Sequence, residues 1–146
     1  MKPVAVALLA VWAVLSAGAA EAEWLTDLAQ AKAKAKTEKR MVLVDFTGSD
    51  WCPPCLNLDR NVFSTAEFGN FAKDNLVLVQ LDFPRKKKLS PQLQKANDGL
   101  AKQFSISAFP TVLVLNSDGK QISREEGYRG TGAKEYIASL AKLKGK

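Results

Sequence analysis

The sequence predicts an α/β sandwich built on a mixed central sheet, and three observations point there. Three short apolar runs, Met41–Phe46, Leu76–Phe83 and Thr111–Leu115, are rich in valine and too short for helices. Stretches with helical spacing of apolar residues separate them. The last run is followed by Asn116-Ser117-Asp118-Gly119, a hairpin signal that sends the chain back beside itself.

Taken in order, Trp24 to Arg40 reads as an amphipathic helix. Trp24, Leu28, Ala31 and Ala35 recur on one face, while Lys32, Lys36 and Lys39 take the others. Met41–Phe46 is a buried strand, Thr47-Gly48-Ser49-Asp50 a turn, and Trp51-Cys52-Pro53-Pro54-Cys55 the entry to a second helix. Proline is tolerated in a helix's first turn and poorly beyond it, so the two prolines place a helix start beside Cys52, with Leu56 to Arg60 continuing it. Ser64-Thr65-Ala66-Glu67 has the pattern of a capping box, and Phe68, Phe71 and Ala72 give the next helix an apolar face. After the strand Leu76–Phe83 come a basic loop, Pro84 to Ser90, and a helix, Pro91 to Phe104, with Leu93, Leu100 and Phe104 turned inward. Phe109-Pro110 leads into Thr111–Leu115, Gln121 to Glu126 returns as an edge strand, Gly127 to Gly132 is a loop, and Ala133 to Lys144 closes the chain as a helix with Tyr136, Ile137 and Leu140 apolar. No internal repeat is visible.

The first twenty residues read as an export signal. Met1-Lys2-Pro3 is a short positive start, Val4 to Ala20 is apolar, and Ala17-Gly18-Ala19 fits a peptidase cleavage pattern. The alternative is an uncleaved membrane anchor, for which a run of about 17 residues is at the lower limit. Cleavage leaves a domain of residues 21–146 whose Lys plus Arg count falls from 21 to 20 against 15 acids, a net +5. Such a chain carries its thiols into an oxidising periplasmic or secreted compartment.

The 146 residues include no histidine, which removes Ser-His-Asp and Cys-His catalysis and histidine metal sites. Soft-atom chemistry rests on Cys52 and Cys55. Zinc needs four ligands, and these two cysteines supply half of them. Covalent haem attachment needs a histidine after the second cysteine, where Leu56 stands. A structural disulfide remains open, although closing a loop of about four residues gains only roughly 2 kcal/mol before strain. The redox reading explains more: Cys52 at a helix start is favoured as thiolate, Cys55 lies one turn on, and an exposed, locally closed disulfide exchanges readily.

In this arrangement the chain resembles the thioredoxin superfamily from about Trp24 to Leu143. The resemblance is carried, in order, by the strand VDF, the segment WCPPC, the loop FPT and the stretch EEGYRGTGAKEYI. The longer segment VDFTGSDWCPPCLNLDRNVF is closer to exported bacterial thioredoxin-like proteins than to cytosolic thioredoxins. It implies a three-layer α/β/α sandwich with a central mixed sheet, a redox-active Cys52–Cys55 disulfide, Cys52 as nucleophile and Cys55 as resolving thiol. It further implies Trp51 as a shield, Pro53 and Pro54 as the tuning dipeptide, Pro110 as a cis-proline, Asp45 as a buried proton acceptor, and Phe109, Thr111 and Gly127 along a substrate groove. Three departures stand out: one extra residue between Asp45 and Cys52, Gln80 where thioredoxin has a lysine, and Pro-Pro in place of Gly-Pro. The family's strongly oxidising members carry a histidine in that dipeptide, and its lack here points to a reductase.

The expected activity is thus thiol–disulfide exchange on protein or peptide disulfides, recharged by an electron donor, with no organic cofactor and no metal. Two other functions fit the same residues: a non-catalytic binding module with a permanent disulfide, and Cu(I) handling through both thiolates, which the lack of nearby Met and of His disfavours. The runs Lys32–Lys36 and Arg85–Lys88 have no interleaved aromatics, so they read as solvated surface rather than nucleic-acid sites, the second able to steer acidic partners or meet anionic membranes. Phe63, Phe68, Phe71 and Phe104 read as core. No separate dimerisation domain is evident, and a monomer is expected.

Overall fold

The computed structural model describes residues 22–146, so the stretch read as an export signal, residues 1–20, lies outside the described residues. Five strands, β1 (Trp24–Leu25), β2 (Met41–Thr47), β3 (Leu76–Asp82), β4 (Thr111–Leu115) and β5 (Gln121–Glu126), form one sheet in the order β1-β3-β2-β4-β5. The first three are mutually parallel, while β4 runs antiparallel to β2, and β5 to β4. Helices α1 (Leu28–Glu38) and α4 (Pro91–Gln103) cover one face. On the other lie α2 (Pro53–Leu58), a π-helical turn (Asp59–Phe63), α3 (Ala66–Asn75) and α5 (Ala133–Ala141). This is the expected sandwich with a mixed sheet.

Strand alternation divides the core. Val42, Val44, Phe46, Val79, Leu81 and Leu113 face α1 and α4. Met41, Leu43, Leu78, Val112 and Val114 face Leu58, Val62, Phe63, Phe68 and Tyr136 on the other side. β2 is buried along its whole length because both of its faces are covered, which is why its sequence is continuously apolar apart from Asp45 and Thr47.

The differences from expectation have local causes. Trp24 and Leu25 are not helical: they pair with Leu78 and Val79 as an edge strand. Helix α1 starts only at Leu28, where the Asp27 carboxylate accepts the N–H groups of Ala29 and Gln30. Trp24 packs instead on Phe63, ring centroids 5.1 Å apart. The residue capping α3 is Thr65, not Ser64: its Oγ1 accepts the Phe68 N–H and donates to the Val62 carbonyl, while Ser64 Oγ donates to Asp59. Between α2 and α3 the wider π turn lets the adjacent residues Val62 and Phe63 both reach the core. In α4 the buried residue is the polar Asn97, whose Nδ2 donates to the Asp82 carbonyl, whereas Leu93, Leu100 and Phe104 are half-buried. α5 ends at Ala141, short of Lys144.

Replacing Thr65 with Ala should cost about 1 kcal/mol in urea unfolding, the usual cost of losing an N-cap. Ser64→Ala should stay within about 0.5 kcal/mol, as for other exposed sites.

Candidate active site

Cys52 and Cys55 form a disulfide, with Cα atoms 5.3 Å apart. The sequence puts them at the end of a short connection between β2 and α2, so the start of a helix lies directly against the end of a central strand. Cys52 is the N-cap of α2: it holds an extended backbone, and its Sγ accepts the Cys55 N–H at 3.4 Å. Pro53 and Pro54 fill the first turn, exposed, where a missing N–H is no loss. Both cysteines are only 3 % exposed, which corrects the expectation of an open disulfide. Leu56, one residue later, is 41 % exposed and is the one large apolar side chain so open among the described residues.

The turn before Cys52 is built around Trp51. Its indole Nε1 donates to the Phe83 carbonyl at 2.7 Å, and its ring lies over Gly48 so closely that a Cβ there would fall 2.5 Å from it. Gly48 also accepts the N–H groups of Trp51 and Cys52 through its carbonyl. Ser49 is fastened to the end of β3, its N–H donating to Asp82 Oδ1 at 2.9 Å and its hydroxyl to Oδ2 at 2.6 Å. Asp50 accepts three successive backbone N–H groups, of Arg85, Lys86 and Lys87, each at 2.9 Å. Those bonds, that of Arg85 foremost, hold its carboxyl below the usual carboxylate range. The Arg85 guanidinium sits 3.5 Å from the Trp51 ring centroid. An aromatic from a distant part of the chain therefore meets the basic run, although none interleaves with the run itself.

Phe109-Pro110 is a cis peptide. Pro110 is buried, and its carbonyl accepts the Gly127 N–H at 2.7 Å. Gly127 has φ +78°, a conformation natural to glycine. Thr111 is buried and donates to the Ala108 carbonyl, and Phe109 packs edge-on to Trp51 at 5.9 Å. Phe109, Pro110, Thr111 and Gly127 thus form one neighbourhood, joined to the cysteine turn through the Phe109–Trp51 contact.

Asp45 lies on β2, 3 % exposed, on the sheet face that α2 covers. Its register neighbours are Gln80 on β3 and Val112 on β4, so Gln80 does stand beside the acid. Oδ1 has no hydrogen-bond partner among the described residues. Burial, reinforced by the negative charges of Asp59 and Asp82, pushes its carboxyl up to about 8. Tyr136 on α5 is buried close by, and burial with the charges of Glu125 and Asp45 raises its hydroxyl above its ordinary value. A cavity of about 380 Å³ lined by Trp24, Asp59, Phe63 and Gln80 opens on this side of the sheet. The described residues contain no group of three or more Cys, Asp or Glu placed to hold a metal ion.

Residues 23–117 match a family described as Thioredoxin-like. The chain belongs to that family. The thioredoxin-like chain is 30 % identical over 122 residues to the disulfide bond reductase DsbH of Chlamydia pneumoniae, covering 84 % of itself and 72 % of that protein. Among solved structures, a DsbH oxidoreductase superposes with a TM-score of 0.79 at 26 % identity, covering 96 % of this chain and 94 % of that one. A thioredoxin from Thermus thermophilus shares the fold, with a TM-score of 0.63 at 19 % identity over 85 % of this chain and 88 % of its own. Within this thioredoxin-like frame, sequence reasoning missed Asp50, Asp82 and Arg85 as builders of the site, and the exposed Leu56. The signal for the first three was present only as charges in separate segments, without the register that joins them.

The raised Asp45 carboxyl gives a signed prediction for the oxidised protein. In the unfolded chain the acid ionises near its ordinary value of 3.8, in the folded chain near 8. The folded state therefore holds the extra proton between those values, and stability must fall as pH rises from 4 to 8. Asp45→Asn should remove this fall and leave the variant more stable at pH 8, by up to about 5 kcal/mol, in denaturant titrations across that range.

Proposed function

We propose that this thiol–disulfide oxidoreductase runs as a reductase of protein disulfides outside the cytoplasm, through the Cys52/Cys55 couple. The observation that carries the reading is the Cys52–Cys55 disulfide at the start of α2, on the same face as a buried acid whose proton affinity is close to a thiol's. With the pair reduced, the Cys52 thiolate is favoured by the Cys55 N–H aimed at its sulfur and by the helix start. It attacks one sulfur of the substrate disulfide, forming a mixed disulfide and releasing the other sulfur as thiolate. The Cys55 thiol then gives up its proton and attacks the Cys52 sulfur, expelling the second substrate thiolate and regenerating the Cys52–Cys55 disulfide. Two electrons have moved to the substrate, and a dithiol donor must return them.

Asp45 is the acceptor for the Cys55 proton in this scheme. A carboxylate at the ordinary 3.8 would be far too weak a base for a thiol near 8.5, whereas at about 8 the transfer is nearly balanced. A cavity lined in part by Asp59 and by Gln80, the register neighbour of Asp45, lies on the same side of the sheet. Trp51 shields the sulfur pair, Pro53 and Pro54 tune it, and the cis Pro110 with Phe109, Thr111 and Gly127 presents the strand-like edge on which an extended substrate segment pairs. The basic start and apolar run of residues 1–20 support export by a cleaved signal, and the domain from residue 21 on would act as a monomer.

Cys52→Ser should abolish insulin-disulfide reduction and leave the far-UV spectrum and unfolding midpoint near those of the reduced wild type. Unchanged activity would reject the mechanism. Cys55→Ser should instead accumulate a covalent mixed disulfide with a peptide substrate, visible by mass and released by dithiothreitol. Asp45→Asn should slow that second step by about 100-fold at neutral pH, with Cys52 alkylation little changed. A reduction potential well below about −300 mV would favour the permanent-disulfide module instead.

A further inference from the structure

The loop Arg85–Lys88 carries four consecutive cations, all exposed, and it is not a free solvated run. Asp50, in the turn that leads to Cys52, takes three of its backbone N–H groups. Asp82 takes the Lys87 ammonium at 3.0 Å, and the Arg85 guanidinium is stacked on Trp51, the residue before Cys52. Ordering a loop costs conformational entropy that a merely solubilising charge run has no reason to lose. The bonds to Asp50 use its oxygens on main-chain donors, so Asp50 takes none of the lysine heads, and of the three only Lys87 is paired, with Asp82. Among the described residues, Arg85, Lys86 and Lys88 form no ion pair with a carboxylate.

We propose that this loop is a specificity element of the exchange site, selecting disulfides whose flanking residues in the substrate polypeptide are acidic. The inference rests on the reductase reading of the Cys52/Cys55 pair and adds the class of substrate. Four cations face three carboxylates, Asp50, Asp82 and Asp98, so the rim beside Trp51 keeps a net positive charge of one. The loop borders a cleft of about 460 Å³ lined by Phe83, Arg85, Lys87 and Lys88 together with Asp82 and Asp98, large enough to admit a carboxylate side chain. At physiological ionic strength charges are screened over about 8 Å, so the loop acts only on groups that come close to it. A polypeptide bound along Phe109 and Trp51 does so, since Phe109 touches Trp51 and Trp51 touches Arg85. A planar guanidinium and adjacent ammonium groups suit carboxylates flanking a cysteine. A membrane surface is disfavoured as the occupant because the loop pairs its charges with no exposed large apolar side chain: the one such residue described, Leu56, belongs to α2.

The test uses the reduced mature protein and two synthetic peptides with the same disulfide, flanked by Glu in one and by Gln in the other. The expected kcat/KM ratio favours the Glu peptide by roughly fivefold or more at low salt and shrinks toward unity as salt approaches about 0.5 M. In the double variant Lys86→Gln, Lys88→Gln the ratio should fall close to one at low salt. Equal rates for the two peptides in the wild type, or a ratio unchanged in the variant, would overturn the proposal. So would a variant whose sole loss is binding to vesicles containing phosphatidylserine. Reduction of the neutral hydroxyethyl disulfide is measured in parallel. If that fails in the wild type, the reductase reading falls and takes the inference with it; if it proceeds with no peptide preference, the inference alone is lost.

Discussion

Two carboxylates at the ends of neighbouring segments, Asp82 at the end of β3 and Asp50 just before Trp51, hold the rest of the site in place. Asp82 fixes the turn after β2 by accepting both donors of Ser49, and Asp50 fixes the segment after β3 by accepting three main-chain N–H groups. The exchange is reciprocal: each connection supplies the acid that organises the other. Trp51 then lies over the bare Cα of Gly48 with its indole N–H on the Phe83 carbonyl, and Cys52 follows as the N-cap of α2. Bonds of this type to charged acceptors are among the stronger hydrogen bonds a surface-proximal loop can have. They hold the exposed first turn of α2, Pro53 and Pro54, at the end of the central strand β2.

Asp45 opposes the stability of the fold. A carboxyl in the middle of β2, with one oxygen unpartnered, works against the stability of the sheet that positions everything else. The core is large enough to carry it, since both faces of β2 are closed over by aliphatic and aromatic side chains. With Gln80 rather than a cation across the strand, nothing in register offsets the charge, and Asp59 and Asp82 raise its proton affinity further. A carboxyl that holds its proton to about pH 8 is the product of that environment.

Much of this was legible in the residues themselves. Valine-rich runs marked the three central strands, the Asn116–Gly119 turn marked the hairpin, and the missing histidines narrowed the chemistry to Cys52 and Cys55. What escaped was information that exists only between segments. Trp24 has helical spacing with Leu28, but a free edge of β3 and the Asp27 cap decide otherwise. Ser64 and Thr65 are chemically near-equivalent caps, and the π turn ahead of them chooses Thr65. The basic run 85–88 looked solvent-borne because its aromatic partner, Trp51, is more than thirty residues away in sequence.

An open five-stranded sheet risks stacking with its own kind through its outer margins. Here one margin, β1, is only two residues long, too short to template a ladder. The other, β5, reads Gln-Ile-Ser-Arg-Glu-Glu, with Arg124 bonded to Glu126 at 2.8 Å and to the carbonyls of Phe104 and Ser105. That charged, tied-down border resists sheet-to-sheet growth into fibres.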